Sequence, residues 1–161
     1  MAISLMLTAN QEGATLLNYA DVLSFTKEKD IINGLKFRDQ LSGNQIHINA
    51  KVVVNATGVF SDRLIALDQP NAKPMIRPSQ GVHIVLDKEF IKSTHAIMVP
   101  HTTDGRVLFA VPWNEYVIVG TTDTPIDDTL EEPIALEEEV KFILDNAGAY
   151  MTKKPLRSDV K

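Results

Sequence analysis

The stretch Lys51-Val-Val-Val-Asn-Ala-Thr-Gly58 constrains this chain more than any other. Three consecutive β-branched residues between polar neighbours break the alternation of a half-wet strand, and so predict a parallel-type strand over Lys51–Asn55 buried on both faces. Asn55-Ala56-Thr57-Gly58 then ends it, because the side chains shrink and a glycine admits backbone geometry and close approaches denied to other residues. In open α/β sheets the crevice beyond the carboxyl end of such a strand is where ligands lie. A buried strand also ends in small residues before an ordinary turn, and the motif alone leaves both readings open.

Composition narrows the partners. The 161 residues, 44% apolar and 23% charged, can build one sizeable core or two small lobes. A net charge of -5, with sixteen scattered Lys and Arg, gives no footprint for nucleic acid. The absence of cysteine excludes disulfides, thiolate metal sites and a Cys nucleophile, and is compatible with a cytoplasmic location. No apolar run reaches the length of a membrane span, and Met1–Leu7 lacks the positive charge of a signal peptide.

Along the chain, Ala2–Glu12 reads as a short helix with apolar contacts from Ile3, Leu5, Met6 and Leu7, ending at Gly13. Asp21–Glu28, Ile32–Asp39 and Gln45–Asn49 read as a meander ahead of Lys51–Asn55, with turns at Lys29-Asp30, Asn33-Gly34 and Ser42-Gly43-Asn44. Ser61-Asp62 is placed to cap a helix through Leu67 whose Leu64, Ile65 and Leu67 face the sheet. The proline-bracketed Gln69–Pro74 is the most linker-like segment, predicting lobes at 1–68 and 69–161. Beyond it Gly81–Leu86, Ala96–Val99, Arg106–Val111 and Tyr116–Thr121 predict antiparallel strands, with Trp113 packed on a hairpin. Ala135–Met151 predicts an amphipathic helix with Glu137–Glu139 at its N-terminal dipole end, and the tail Lys153–Lys161 looks too polar to close a domain. The fold class is α+β.

The common nucleotide, zinc-protease and serine-hydrolase signatures are missing, and the four histidines are too dispersed for a metal site. Arg77-Pro-Ser-Gln-Gly-Val-His83 stands out. A guanidinium can bind phosphate or carboxylate through two parallel hydrogen bonds, and an imidazole can take or give a proton near neutral pH. The plainer reading makes Arg77 a surface residue beside a linker and His83 a hydrogen-bonded strand histidine. Gly120-Thr-Thr-Asp-Thr124 likewise reads first as a turn bonding its own backbone, and second as a substrate contact.

Taken in order, Val-Val-Val-Asn55-Ala-Thr-Gly58, Ile76-Arg-Pro-Ser-Gln-Gly-Val-His83, Asp104-Gly-Arg-Val-Leu-Phe-Ala-Val-Pro-Trp113 and Gly120-Thr-Thr-Asp-Thr124 resemble the aerobic-type, FAD-dependent glycerol-3-phosphate dehydrogenases from about Ala14 onward. The resemblance implies part of an FAD-binding domain, with the meander, the buried strand and flavin-side backbone at Ala56, Thr57 and Gly58. It also implies an antiparallel substrate-binding lobe with a packed helix, in which His83 is a catalytic, substrate-side residue and Arg77 a substrate-binding one. Glycerol 3-phosphate is then oxidised to dihydroxyacetone phosphate, with hydride transfer to FAD and onward transfer to a quinone or other acceptor. It leaves room for peripheral membrane contact of the whole enzyme.

Two departures qualify the resemblance. Gln80 stands where the family often has lysine. The chain also lacks the family's Gly-x-Gly-x-x-Gly turn and its C-terminal part, as an internal piece would, so the piece alone is expected to bind no FAD, to be inactive, and to have room for self-association over Val52–Val54 and the first helix. A related FAD-dependent amine or amino-acid oxidase, or a non-catalytic binding module, stands as the alternative.

Overall fold

The computed structural model describes residues 1–161, which form two compact units divided between Ile76 and Arg77. The first contains α1 (Ala2–Gln11), the antiparallel meander β1 (Ala20–Glu28), β2 (Ile31–Asp39) and β3 (Gln45–Asn49), and α2 (Ser61–Asp68). Lys29 and Asp30 turn β1 into β2 with φ of 50° and 64°, the left-handed pair whose twist suits a two-residue hairpin. Phe37 is paired with Val22 on one side and Ile46 on the other, and is the buried residue around which the sheet packs.

Several expectations fail in this unit, each for an identifiable reason. Lys51–Asn55 is no strand: Val52 is 75% and Val54 80% exposed, and only Val53 turns inward, toward Phe25, Ile32, Leu64 and Ile65 around a cavity of about 150 Å³. A strand exists by pairing its backbone groups with a neighbour, and the β1-β2-β3 sheet ends before this segment. Asn33-Gly34 is not a turn but lies inside β2, where a Cβ on Gly34 would stand 2.2 Å from the Ile48 carbonyl oxygen. Helix α1 has no buried residue, so Ile3, Leu5, Met6 and Leu7 make no core.

At α2 neither Ser61 nor Asp62 caps the helix. Ser61 Oγ donates to the Gly58 carbonyl at 2.8 Å, while the Asp62 carboxylate accepts from the N–H of Met75 at 3.0 Å and of Ile76 at 2.9 Å. Those bonds tie the proline-rich segment back to α2. Leu64 and Ile65 are half-buried as expected, but Leu67 is exposed.

The second unit is built on a four-stranded antiparallel sheet of β5 (His83–Asp87), β8 (Tyr116–Gly120), β7 (Leu108–Trp113) and β6 (Ile97–Val99), in that order, beside a short pair of β4 (Ser79–Gln80) and β9 (Thr124–Pro125). Alternation sorts its two faces. Ile84, Leu86, Ala110, Val117 and Val119 point inward onto Val140, Ile143, Leu144 and Ala147 of α3 (Glu137–Ala147), with Phe90 and Ile91 completing the core. The helix is shorter than expected at both ends, since Leu136 is extended and Gly148–Tyr150 tightens into a 3₁₀ turn.

Asn114, at φ 55°, and Glu115 close the β7–β8 hairpin, and Trp113 beside them is 62% exposed instead of packed. The tail also behaves otherwise than its polarity suggests. Pro155 is buried, Val160 packs against the core, and the Lys161 N–H donates to the Val85 carbonyl at 3.0 Å, satisfying backbone on the outer edge of β5. No helix of the chain is long and apolar enough to cross a membrane.

Candidate functional site

In the first unit the Asn55–Gly58 loop is held by its own side chains. The Asn55 carboxamide oxygen accepts from Thr57 Oγ1 at 2.8 Å, and its nitrogen donates to the Ser61 carbonyl at 3.0 Å. Ala56, Thr57 and Gly58 are exposed. Gly58 takes φ 58° with nothing within 4 Å of where a Cβ would stand, so a ligand can approach the backbone here without meeting a side chain. This loop leads straight into the 3₁₀ turn Gly58–Phe60 and α2.

In the second unit the sheet face turned away from α3 carries His83. It pairs with Gly120, which pairs with Phe109, which pairs with Met98, so these four form one row across the strands. Phe109 and Met98 are exposed, and the His83 ring lies over the bare backbone of Gly120. A Cβ on Gly120 would stand 2.6 Å from the ring Cδ2 and 2.8 Å from the Val82 carbonyl oxygen. Gly120→Ala is therefore expected to displace the imidazole and to cost about 1–3 kcal/mol, as overpacking does. Urea denaturation of the purified variant checks this; a stability equal to that of the parent would show that the ring moves aside freely. Arg77 lies six positions earlier in the chain, exposed, and no hydrogen bond or ion pair brings it to His83.

Behind that row sits a carboxylate that the sequence placed only at the acidic N-terminal end of the helix. Glu139 is 4% exposed, and its two carboxylate oxygens receive four donors. Thr122 Oγ1 donates at 3.0 Å and Thr124 Oγ1 at 2.6 Å to one oxygen, while Gln80 Nε2 at 2.7 Å and the Leu136 N–H at 3.0 Å donate to the other. Burial pushes the carboxyl up, but the donors from Thr124, Leu136, Gln80 and Thr122 outweigh it and hold Glu139 below the ordinary glutamate range. Thr122 Oγ1 in turn accepts the Val82 N–H at 2.9 Å. The Gly120–Thr124 segment thus bonds its own backbone only through Thr121, whose Oγ1 donates to the Thr122 carbonyl at 3.0 Å; the Thr122 and Thr124 hydroxyls donate across to α3.

A family model described as DAO, FAD dependent oxidoreductase, matches residues 1–161. The chain belongs to this family. Among curated members it is 44% identical over 158 residues to the probable mitochondrial glycerol-3-phosphate dehydrogenase of Dictyostelium discoideum, covering 93% of this chain and 25% of that protein. It is 38% identical to the mitochondrial glycerol-3-phosphate dehydrogenase of Mus musculus, covering 94% of this chain and 22% of that protein. The crystal structure of glycerol-3-phosphate dehydrogenase from Bacillus halodurans in complex with FAD superimposes with a TM-score of 0.91 at 32% identity, over 98% of this chain and 32% of the other. The chain spans about a quarter of the length of these curated relatives.

In this member of the family the Glu139 network was discernible in part. Glu139 shares the helical stripe of Leu136, Val140 and Ile143, so a carboxylate facing inward follows from spacing. Its partners do not, because Gln80 and Thr122 come from segments 59 and 17 residues away.

Proposed function

We propose that the chain is part of an FAD-dependent dehydrogenase of sn-glycerol 3-phosphate, with the first unit belonging to its FAD-binding domain and the second to its substrate-binding domain. The likeness to the FAD-complexed Bacillus halodurans enzyme, over 98% of this chain, carries the reading. The exposed, open backbone at Ala56, Thr57 and Gly58 suits a cofactor edge approached by main-chain atoms, and these residues would hold part of FAD. When bound, FAD would supply the redox chemistry, as the hydride acceptor for the oxidation of glycerol 3-phosphate at C2.

The protein's own part is to bind and to move a proton. Arg77 offers two parallel N–H donors to the phosphate. His83 stands on the open sheet face with Phe109 and Met98 beyond it, where its imidazole takes the proton of the C2 hydroxyl. The sealed opposite face, packed on α3, keeps that ring from sinking into the core.

The test is anaerobic. Adding glycerol 3-phosphate to the intact flavoprotein that carries this chain is expected to bleach the visible flavin band, and adding amino acids or amines to leave it unchanged. Bleaching by an amino acid or amine in place of glycerol 3-phosphate would move the chain to the oxidase branch of the family.

A further inference from the structure

We infer that Glu139 is a positioning residue for His83, acting through Thr122 and Val82. The inference rests on the reading of His83 as a substrate-side group, and extends it to a side chain of α3 on the opposite face of the sheet. Strand β5 begins at His83, and ahead of the ladder the Val82 carbonyl accepts the Thr122 N–H only at 3.4 Å. The Val82 N–H is taken by Thr122 Oγ1, which spends its own proton on Glu139. The same carboxylate holds Thr124 opposite Gln80 in the β4–β9 pair, and Gln80 itself. One anion therefore fixes both strands of the crossover from which His83 and Thr121 emerge.

The chemistry of the acceptor is specific. All four neighbours of Glu139 present hydrogens to it: two hydroxyls, an amide NH₂ and a backbone N–H. A carboxylate accepts from all four, whereas a glutamine of the same shape sets its NH₂ either against the Gln80 NH₂ and the Leu136 N–H, or against Thr122 and Thr124, whose hydroxyls must then turn from donors into acceptors. With the anion gone, the Thr122 hydroxyl is no longer directed, and the Val82 N–H loses an acceptor fixed in place. Gly81 leaves no slack to absorb the change, since a Cβ there would stand 2.8 Å from Thr121 Oγ1 and 2.9 Å from the Thr122 carbonyl oxygen.

The test uses the whole 161-residue chain, whose four histidines are separate reporters. Imidazole NMR signals and amide exchange are compared among the parent, Glu139→Gln, Thr122→Val, Thr122→Ser and the exposed control Glu138→Gln. Glu139→Gln and Thr122→Val are each expected to shift the His83 ring signals and to speed Val82 exchange about tenfold, the size of one lost hydrogen bond. His47, His95 and His101 stay in place, and Thr122→Ser and Glu138→Gln match the parent.

His83 signals and Val82 exchange unchanged in either folded variant, Glu139→Gln or Thr122→Val, would overturn the inference. So would movement of all four histidines together with loss of cooperative unfolding in both, which would make Glu139 a general brace. Because these readouts need no substrate, they stand apart from the functional reading, which fails separately if a His83→Ala enzyme keeps its full turnover.

Discussion

His83→Ala is expected to lower turnover of glycerol 3-phosphate by about 10²–10⁴-fold in the intact flavoprotein, the usual loss when a positioned proton acceptor is removed. Flavin content should stay the same. His83 lies on the open face of the second unit's sheet, while the backbone assigned to the cofactor edge, Ala56–Gly58, belongs to the first. The His83 side chain is exposed and absent from the core, so its truncation opens no cavity and the fold is retained. Steady-state kinetics alongside the flavin absorbance of the purified variant separate the two effects. Unchanged turnover would return His83 to a strand residue that rests on Gly120 and nothing more. Loss of flavin together with turnover would place its role in assembly.

Phe90→Ala is expected to destabilise the second unit by about 3–5 kcal/mol, the range for removing a buried aromatic side chain. Phe90 is 1% exposed in the 3₁₀ turn that follows β5, within the cluster of Leu86, Val117, Ile143 and Ala147. Its backbone is also engaged, because its carbonyl accepts the Thr152 N–H at 2.9 Å, and Lys153 Nζ sits 4.5 Å above its ring. The site cannot collapse easily, being closed by the sheet, by α3 and by the chain after it. Against a typical domain stability of about 5–15 kcal/mol, such a loss is about a fifth or more of the total. Urea denaturation followed by tryptophan fluorescence reports it directly, since the single Trp113 lies in the same unit. A midpoint unchanged from the parent would show that Phe90 is not part of the cooperative core.

The meander, the antiparallel strands and α3 were legible because each repeats a local rule along a contiguous stretch. Leu35 and Phe37 on β2 alternate with polar neighbours, and Val140, Ile143, Leu144 and Ala147 recur with the helical period. The family was legible for a related reason, since four motifs in a fixed order specify more than any one of them. Composition and period together determined which residues seek a core. They also determined which faces would form it in the second unit.

What they could not determine is which backbone finds a partner. Lys51–Asn55 has the composition of a buried strand, yet a ladder needs a neighbour, and no strand lies beside it; Val52 and Val54 consequently face solvent. Asn33-Gly34 has the composition of a turn, yet the close approach of β3 makes the glycine a strand residue. The tail carries too few apolar side chains to predict its docking, and docks through Pro155, Val160 and a backbone bond to β5 that no side-chain pattern encodes. Glu139 shows the division most clearly. Helical spacing turned its carboxylate inward, but only the tertiary structure delivered Gln80, Thr122 and Thr124 to it, because a buried charge is tolerable only where donors from distant segments converge.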